Sequence, residues 1–308
     1  MDISIAGLAF NNNLFQSQFP SKVLDSLFGG SESGASAGSS ASGIGALFSS
    51  LLSQLQSKNK SATTLDSLLN PGNASQGLST GGRNLSLFNP EAGYNLSTFI
   101  NSRDVLYKAQ FSELSDIKTG VAQLQTTGES LGEVSTKTPA DGVEALLQNF
   151  VGRYNHWRES FNADIADGGL LDKVQAAEVP LSTLEQSVKN TFIGAKDDVH
   201  GLQELGISID PNTHFAVLDS RQLAATLRSK PQGAVNAIHE FSANFAKSAA
   251  LLKSDNNFIP NQLNNLNRAI HYIADNQAAL KLEFGTGDAA KPSAKIAQAL
   301  AAYNQFYA

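Results

Sequence analysis

The chain has 308 residues, of which 41% are apolar and only 16% are charged, and its formal net charge is −6. This length allows one or two domains with a core, and the acidic balance excludes the basic surface that binding to nucleic acid or anionic lipid requires. Cysteine is absent, which excludes disulfides, thiolate nucleophiles and zinc–thiolate sites.

The first residues, MDISIAGLAF, place Asp2 and no basic residue ahead of a short apolar stretch, a pattern that does not fit a cleaved secretory signal. No run approaches the 18 or so apolar residues of a membrane span. If the protein is exported, we therefore expect a route that needs no cleaved signal.

Residues 1–101 differ in composition from the rest and predict a low-complexity, largely flexible N-terminal region. From Gly29 to Gly43 every residue except Glu32 is Gly, Ser or Ala, which is typical of a flexible linker. Prolines and glycines predict a loop over residues 70–98.

Two short amphipathic segments interrupt this region. The first segment could form one or two helical turns, and the second predicts a helix of about 12 residues. Their apolar positions are Val23, Leu24, Leu27 and Phe28 in the first and Ile44, Leu47, Leu51 and Leu55 in the second.

Residues 102–308 predict a helical bundle of the coiled-coil kind, because three segments carry apolar residues at alternating steps of three and four. These segments span roughly 103–132, 139–163 and 262–284. The simplest arrangement pairs the first with the third and packs the second alongside. We expect these seams to be buried against other helices or to form interfaces: Leu114, Ile117, Val121, Leu124, Phe150, Tyr154, Trp157, Leu263, Leu266, Ile270, Ile273 and Leu280.

Local signals refine these helices. We expect fraying at Gly128, Thr138 as the N-cap with Pro139 at the first helical position, and Gln277 at a seam position that fixes register. Pro180 interrupts the pattern over residues 170–195 and predicts a kink or two shorter helices.

One short stretch changes to a period of two. Ile207 and Ile209 alternate with polar residues, as do Phe215 and Val217 after a turn over residues 211–214, with Asn212 in a left-handed conformation, which predicts a β-hairpin. Asp219 and Ser220 then predict the cap of a short helix, and two further helices cover residues 235–252 and 292–307. The fold class is therefore mainly α with one small hairpin.

The motifs that could carry chemistry are weak, so we expect no enzyme, metal site or cofactor. Gly128–Gly132 matches G-x-S-x-G around Ser130, but a nucleophile elbow needs a strand before the serine and here a heptad helix precedes it. No two histidines are three or four residues apart. Trp157 with its neighbouring aromatic residues fits a core or an interface better than a ligand-stacking box.

Residues 202–238 resemble the C-terminal region of the flagellar hook-associated protein 2 (filament cap) family. That family carries Leu-Gly-Ile, a short hairpin and a helix that ends in a proline pattern. The matching positions are Leu205, Gly206, Ile207, Asp210, Leu218, Asp219, Leu223, Leu227, Pro231 and Val235. Upstream, Phe150–Asn155 resembles the Phe-Val-x-x-Tyr-Asn helix of the family, and Leu170–Asp172 its following segment. The resemblance covers about residues 105–308 and is specific over 150–238.

Membership would imply an extracellular structural protein of the bacterial flagellum, exported by the flagellar type III apparatus. It would self-associate at the filament tip and contact flagellin and hook–filament junction proteins, with an export chaperone as a further partner. The absence of cysteine suits such export.

The chain also departs from the family. Only Glu133–Asp141 stands where the family has its head domains, and residues 1–100 have no counterpart. The alternative function is a helical interaction protein outside the flagellum, such as a secreted adhesin or an export-chaperone-like module.

Overall fold

The computed structural model describes residues 81–192 and 198–307. The predicted linker and the segments around Val23 and Ile44 lie outside the described residues. The chain divides into two compact units. The described part of the first unit comprises residues 81–102 and 273–290, and that of the second comprises 103–192, 198–272 and 291–307.

The described residues are mainly helical. The elements are α1 (Pro90–Ser130), α2 (Ala140–Ile165), α3 (Gln175–Lys189), β1 (Ile207–Ile209), β2 (Ala216–Leu218), α4 (Ser220–Ser229), α5 (Pro231–Lys253), α6 (Phe258–Phe284) and α7 (Ala294–Phe306). Short 3₁₀-helices cover Leu131–Glu133 and Leu202–Leu205. The predicted mainly α fold with a two-stranded antiparallel hairpin is confirmed. None of the helices described has both the length and the apolar character that crossing a membrane demands.

Helix α1 is longer than the periodicity indicates. It begins at Pro90, so the loop prediction for residues 70–98 is wrong from that residue onward, and the predicted boundary at 101–102 lies inside the helix. The side chain of Asn89 accepts a hydrogen bond from the backbone N–H of Ala92 (3.0 Å). An asparagine that accepts from the first turn, followed by proline at the first helical position, is a strong helix start. The helix continues through Gly128 to Ser130.

The starts of α2 and α3 correct two further predictions. The N-cap of α2 is Pro139, without a side-chain bond, because the hydroxyl of Thr138 instead accepts from the backbone N–H of Ser135 (2.9 Å). Helix α3 runs through Pro180 as one helix, so a division into two helices is wrong. Pro180 is buried, and packing of an apolar face stabilises a helix more than one lost backbone hydrogen bond weakens it.

The hairpin forms where it is predicted, but the inward face of its second strand is different. The register pairs Ile207 with Leu218 and Ile209 with Ala216, and Ala216 is buried whereas Val217 is 53% exposed. In the turn, the left-handed residue is His214 (φ 59°), not Asn212. The carboxylate of Asp210 accepts hydrogen bonds from the backbone N–H groups of Asn212 and Thr213 (2.9 and 2.8 Å). The left-handed residue of the turn therefore comes after these two, at His214.

The second unit contains one main core to which α1, α2, α3, α5, the hairpin and the first half of α6 contribute. Helix α3 packs against α5, and the hairpin packs against α2 and α3. Three aromatic rings lie at its centre, where Phe150 makes edge-to-face contacts with Phe241 and with Phe245 (both 5.1 Å between centroids). A satellite cluster of Ala109, Leu170 and Ala299 attaches α7.

Within the first unit, the segment before α1 is fastened to the end of α6. The amide of Asn84 donates to the backbone carbonyls of Leu282 and Glu283 (3.0 and 2.8 Å), which satisfies carbonyls that a helix end leaves open. The hydroxyl of Ser97 donates to the carbonyl of Gly285 (2.7 Å). The guanidinium of Arg83 lies 4.2 Å from the centre of the Tyr94 ring.

Candidate functional site

The predicted interface residues fall into two groups. Ten of the twelve are buried within the single chain: Leu114, Ile117, Val121, Leu124, Phe150, Tyr154, Trp157, Leu263, Leu266 and Ile270. Their side chains fill the core of the folded chain and are unavailable to another copy of it. Only Ile273 and Leu280 are partly exposed.

The heptad stripe of α6 therefore continues past the part that the chain buries. Ile270 is 3% exposed, whereas Ile273 and Leu280 are partly exposed and Gln277 is exposed. At 100° per residue, positions 273, 277 and 280 share one face of the helix. Gln277 is exposed, so it does not set the register of helix packing inside the core, contrary to the prediction. On the same face of α6, the apolar side chains of Ile273 and Leu280 are partly accessible.

A buried ion pair links α2 to α3. The guanidinium of Arg158 lies 3.2 Å from the carboxylate of Glu185, and both side chains are 9% exposed. Lys189 and His214 also bind this carboxylate. Burial acts to raise the pKa of Glu185, but the hydrogen bonds from Lys189 and His214 outweigh burial and lower it. His214 thereby ties the hairpin turn to α3.

A polar groove of about 520 Å³ runs between α1, α2 and α7. Its lining includes Glu113 and Asp116 from α1, Trp157 and Asp164 from α2, and Lys295 from α7. Asp164 is 1% exposed and forms an ion pair with Lys295 (2.8 Å). The pair therefore holds the first turn of α7 against α2.

The carboxyl of Glu113 in this groove titrates near neutrality. Burial and the nearby carboxylates of Asp164 and Asp116 raise its pKa to about 7, and Lys295 opposes that shift. Sequence periodicity did not identify these groups, because each lies beside an apolar stripe on its own helix and the three helices meet only in the folded chain.

Helices α1 and α2 approach each other closely at Gly120. A Cβ atom on Gly120 would lie 2.6 Å from the indole nitrogen of Trp157, well inside van der Waals contact. Trp157 is 5% exposed, so the aromatic stripe of α2 is core here, and glycine is the residue that allows the contact.

The residues with weak catalytic signals have structural surroundings. Ser130 lies at the C-terminal end of α1, and its hydroxyl donates to the backbone carbonyl of Thr127 (2.8 Å). No strand precedes it among the described residues. In the same part of the chain, no group of three or more His, Cys, Asp and Glu side chains is placed to hold a metal ion.

Comparisons with known proteins return no match, whether against family models, curated proteins or solved structures.

Proposed function

We propose that this chain is a structural, self-associating protein of the bacterial flagellum, similar in role to the hook-associated filament cap and in contact with flagellin or hook–filament junction subunits. The observation that carries the proposal is that the residues of the resemblance over 205–235 pack as one supersecondary unit. Local pattern, turn chemistry and packing agree over these residues, which is expected of positions that together specify one local fold.

The first half of this unit is a tight turn into the hairpin. Leu205 and Ile207 are buried, and Gly206 between them has φ +85°. A Cβ atom on Gly206 would lie 2.5 Å from the backbone oxygen of Asp219, so both its conformation and its surroundings require glycine. The Leu-Gly-Ile pattern thus corresponds to a definite backbone geometry.

The second half is a pair of helices with well-defined starts. The carboxylate of Asp219 accepts the backbone N–H groups of Arg221 and Gln222 (2.9 and 3.1 Å) and caps α4. Pro231 occupies the first turn of α5, where proline is favoured because it has no N–H to leave unsatisfied. Val235 is buried one turn later.

Self-association is supported by the accessible part of the α6 stripe. A heptad face that presents Ile273 and Leu280 with a polar residue between them fits a second helix of the same kind. Changing both residues to serine should leave the buried core intact and lower the mass of the assembly in light scattering. Asp275→Ser with Ala278→Ser, at exposed positions on another face of the helix, is the matched control and should keep the mass of the unmodified protein.

The cellular test is deletion of the gene, followed by imaging of filaments and assay of flagellin in the medium. Short or missing filaments with flagellin in the medium are expected, and the unmodified gene and the control pair should restore normal filaments. Normal filaments after deletion would refute the flagellar role and favour a helical interaction protein outside the flagellum. A monomer at all concentrations would refute self-association independently.

A further inference from the structure

The polar groove between α1, α2 and α7 carries opposite charges at its two ends. At one end, burial and the nearby carboxylates of Asp164 and Asp116 raise the pKa of Glu113, so these three groups lie together. Lys295 neutralises Asp164 in an ion pair (2.8 Å), and the other two carboxylates leave this end acidic. At the other end, Arg153 lines the groove about three turns before Asp164 in α2, which is about 16 Å along the helix.

The charges at the two ends have no partner within the folded chain. Among the residues that the structure describes, none forms a hydrogen bond or an ion pair with the side chain of Glu113, Asp116 or Arg153. The two signs do not neutralise each other either, although they line one groove. Opposite charges held apart on one surface are complementary to a ligand that carries both signs.

Trp157 lies between these two ends. The residue lines the groove and is 5% exposed, and its indole N–H has no hydrogen-bond acceptor among the described residues. A buried donor that lacks an acceptor costs free energy. A ligand that brings a carbonyl oxygen to the middle of the groove would remove this cost.

We propose that the groove binds an extended peptide segment of a partner protein that carries a basic and an acidic side chain about four residues apart. Its volume of about 520 Å³ is in the range of ligand sites. Carboxylates repel the phosphates of a nucleic acid, Arg153 repels a polyamine, and the two charges of a free amino acid are too close together to reach both ends. The proposal does not depend on the proposed flagellar function.

The dimensions of an extended chain fit the separation of the charges. Four residues of such a chain span about 13 Å, and the side chains at both ends of this span point to the same face. The flexible arms of the two charged side chains cover the remaining few ångströms. The basic side chain would bind Glu113 and Asp116, the acidic one would bind Arg153, and the backbone between them carries the carbonyl oxygens that Trp157 requires.

Fluorescence titration of the full chain tests binding, because Trp157 is its single tryptophan. The probe is Lys-Ser-Ser-Ser-Glu with blocked ends, and the control peptide Ser-Lys-Glu-Ser-Ser has the same composition with adjacent charges. At pH 8 and low salt, where Glu113 is mostly ionised and screening is weak, the probe should bind about three- to ten-fold more tightly than the control peptide. An unchanged emission, or equal affinities for the two peptides, would overturn the proposal.

Substitutions at the two ends test where the peptide binds. Glu113→Gln and Arg153→Gln should each weaken binding of the probe about three- to ten-fold, with helix content unchanged by circular dichroism. Glu159→Gln is the matched control, because Glu159 is exposed on α2 and does not line the groove; it should bind the probe as the unmodified protein does. Binding that survives both groove substitutions, or that the control weakens equally, would show attraction outside the groove and overturn the proposal.

Discussion

Replacing Gly120 by alanine tests the close approach of α1 and α2. The new methyl group would lie 2.6 Å from the indole nitrogen of Trp157. The indole ring is buried and, unlike the end of a flexible side chain, it cannot simply swing away. The two helices or the ring must therefore move. Extra volume in a packed core costs about 1–3 kcal/mol.

A gain in helix propensity opposes this cost. Alanine is favoured over glycine inside a helix by about 1 kcal/mol, so we expect the free energy of unfolding to fall by roughly 0–2 kcal/mol in Gly120→Ala. Gly152→Ala in α2 is the matched control, because no atom lies within 4 Å of the Cβ position. The control should raise the free energy of unfolding by up to about 1 kcal/mol. The propensity terms cancel in the difference between the variants, which leaves the packing cost.

Denaturant unfolding followed by tryptophan fluorescence measures this difference directly. Trp157 is the single tryptophan of the chain, so its emission reports from the contact itself. We expect a lower midpoint for Gly120→Ala than for Gly152→Ala at equal slope, which would show a change in stability alone. Equal midpoints would refute the inference that the methyl group meets a rigid ring.

Three further predictions concern charge and burial. The pKa of Glu113 is raised to about 7, so the stability that its protonated carboxyl contributes is complete below about pH 4.5 and is lost as pH rises through 7. Glu113→Gln should therefore leave the free energy of unfolding unchanged near pH 4. At pH 8 it should raise that free energy by about 1–2 kcal/mol, a figure that discounts the pKa shift for the partial exposure of the carboxyl. A titration of stability against pH that is the same for both proteins would contradict this. Glu185→Gln should destabilise the fold by about 3–5 kcal/mol, because it leaves Arg158 buried without its counter-charge, and thermal unfolding would measure the loss. Ile270→Asp should unfold the bundle or lower its stability far more than Ile273→Asp. Only Ile270 is fully buried, and a buried unpaired charge is costly. Equal losses of helix content by circular dichroism would show that the two positions are equally buried and would contradict this prediction.

Much of the fold follows from local pattern. The three heptad segments became α1, α2 and α6, because a stripe of apolar residues at helical spacing must be buried wherever the helix packs. Asp219 was identifiable as a cap because a carboxylate before a helical pattern bonds the first free N–H groups. The start of α1 was missed although Asn89 and Pro90 carry the signal, since nearby prolines and glycines favoured a loop over the same residues.

The sequence predicted much less of the candidate sites than of the fold. The pattern in α6 treats Ile270 and Ile273 as equivalent seam positions, yet one is core and the other is accessible. Glu113, Asp164 and Lys295 come from three helices, and no spacing along the chain relates them. The local pattern predicts that an apolar helix face will be buried, but it does not show which helix or strand packs against that face.

The sequence by itself thus determined that the described residues are mainly helical and that a short hairpin follows Gly206, because these properties depend on neighbours within a few positions. Only the tertiary structure decided that ten of the twelve predicted interface residues are core, that Arg158 meets Glu185, and that Gly120 admits the ring of Trp157. These outcomes depend on contacts between residues far apart in the chain, which form together when the helices pack and which no single helix specifies.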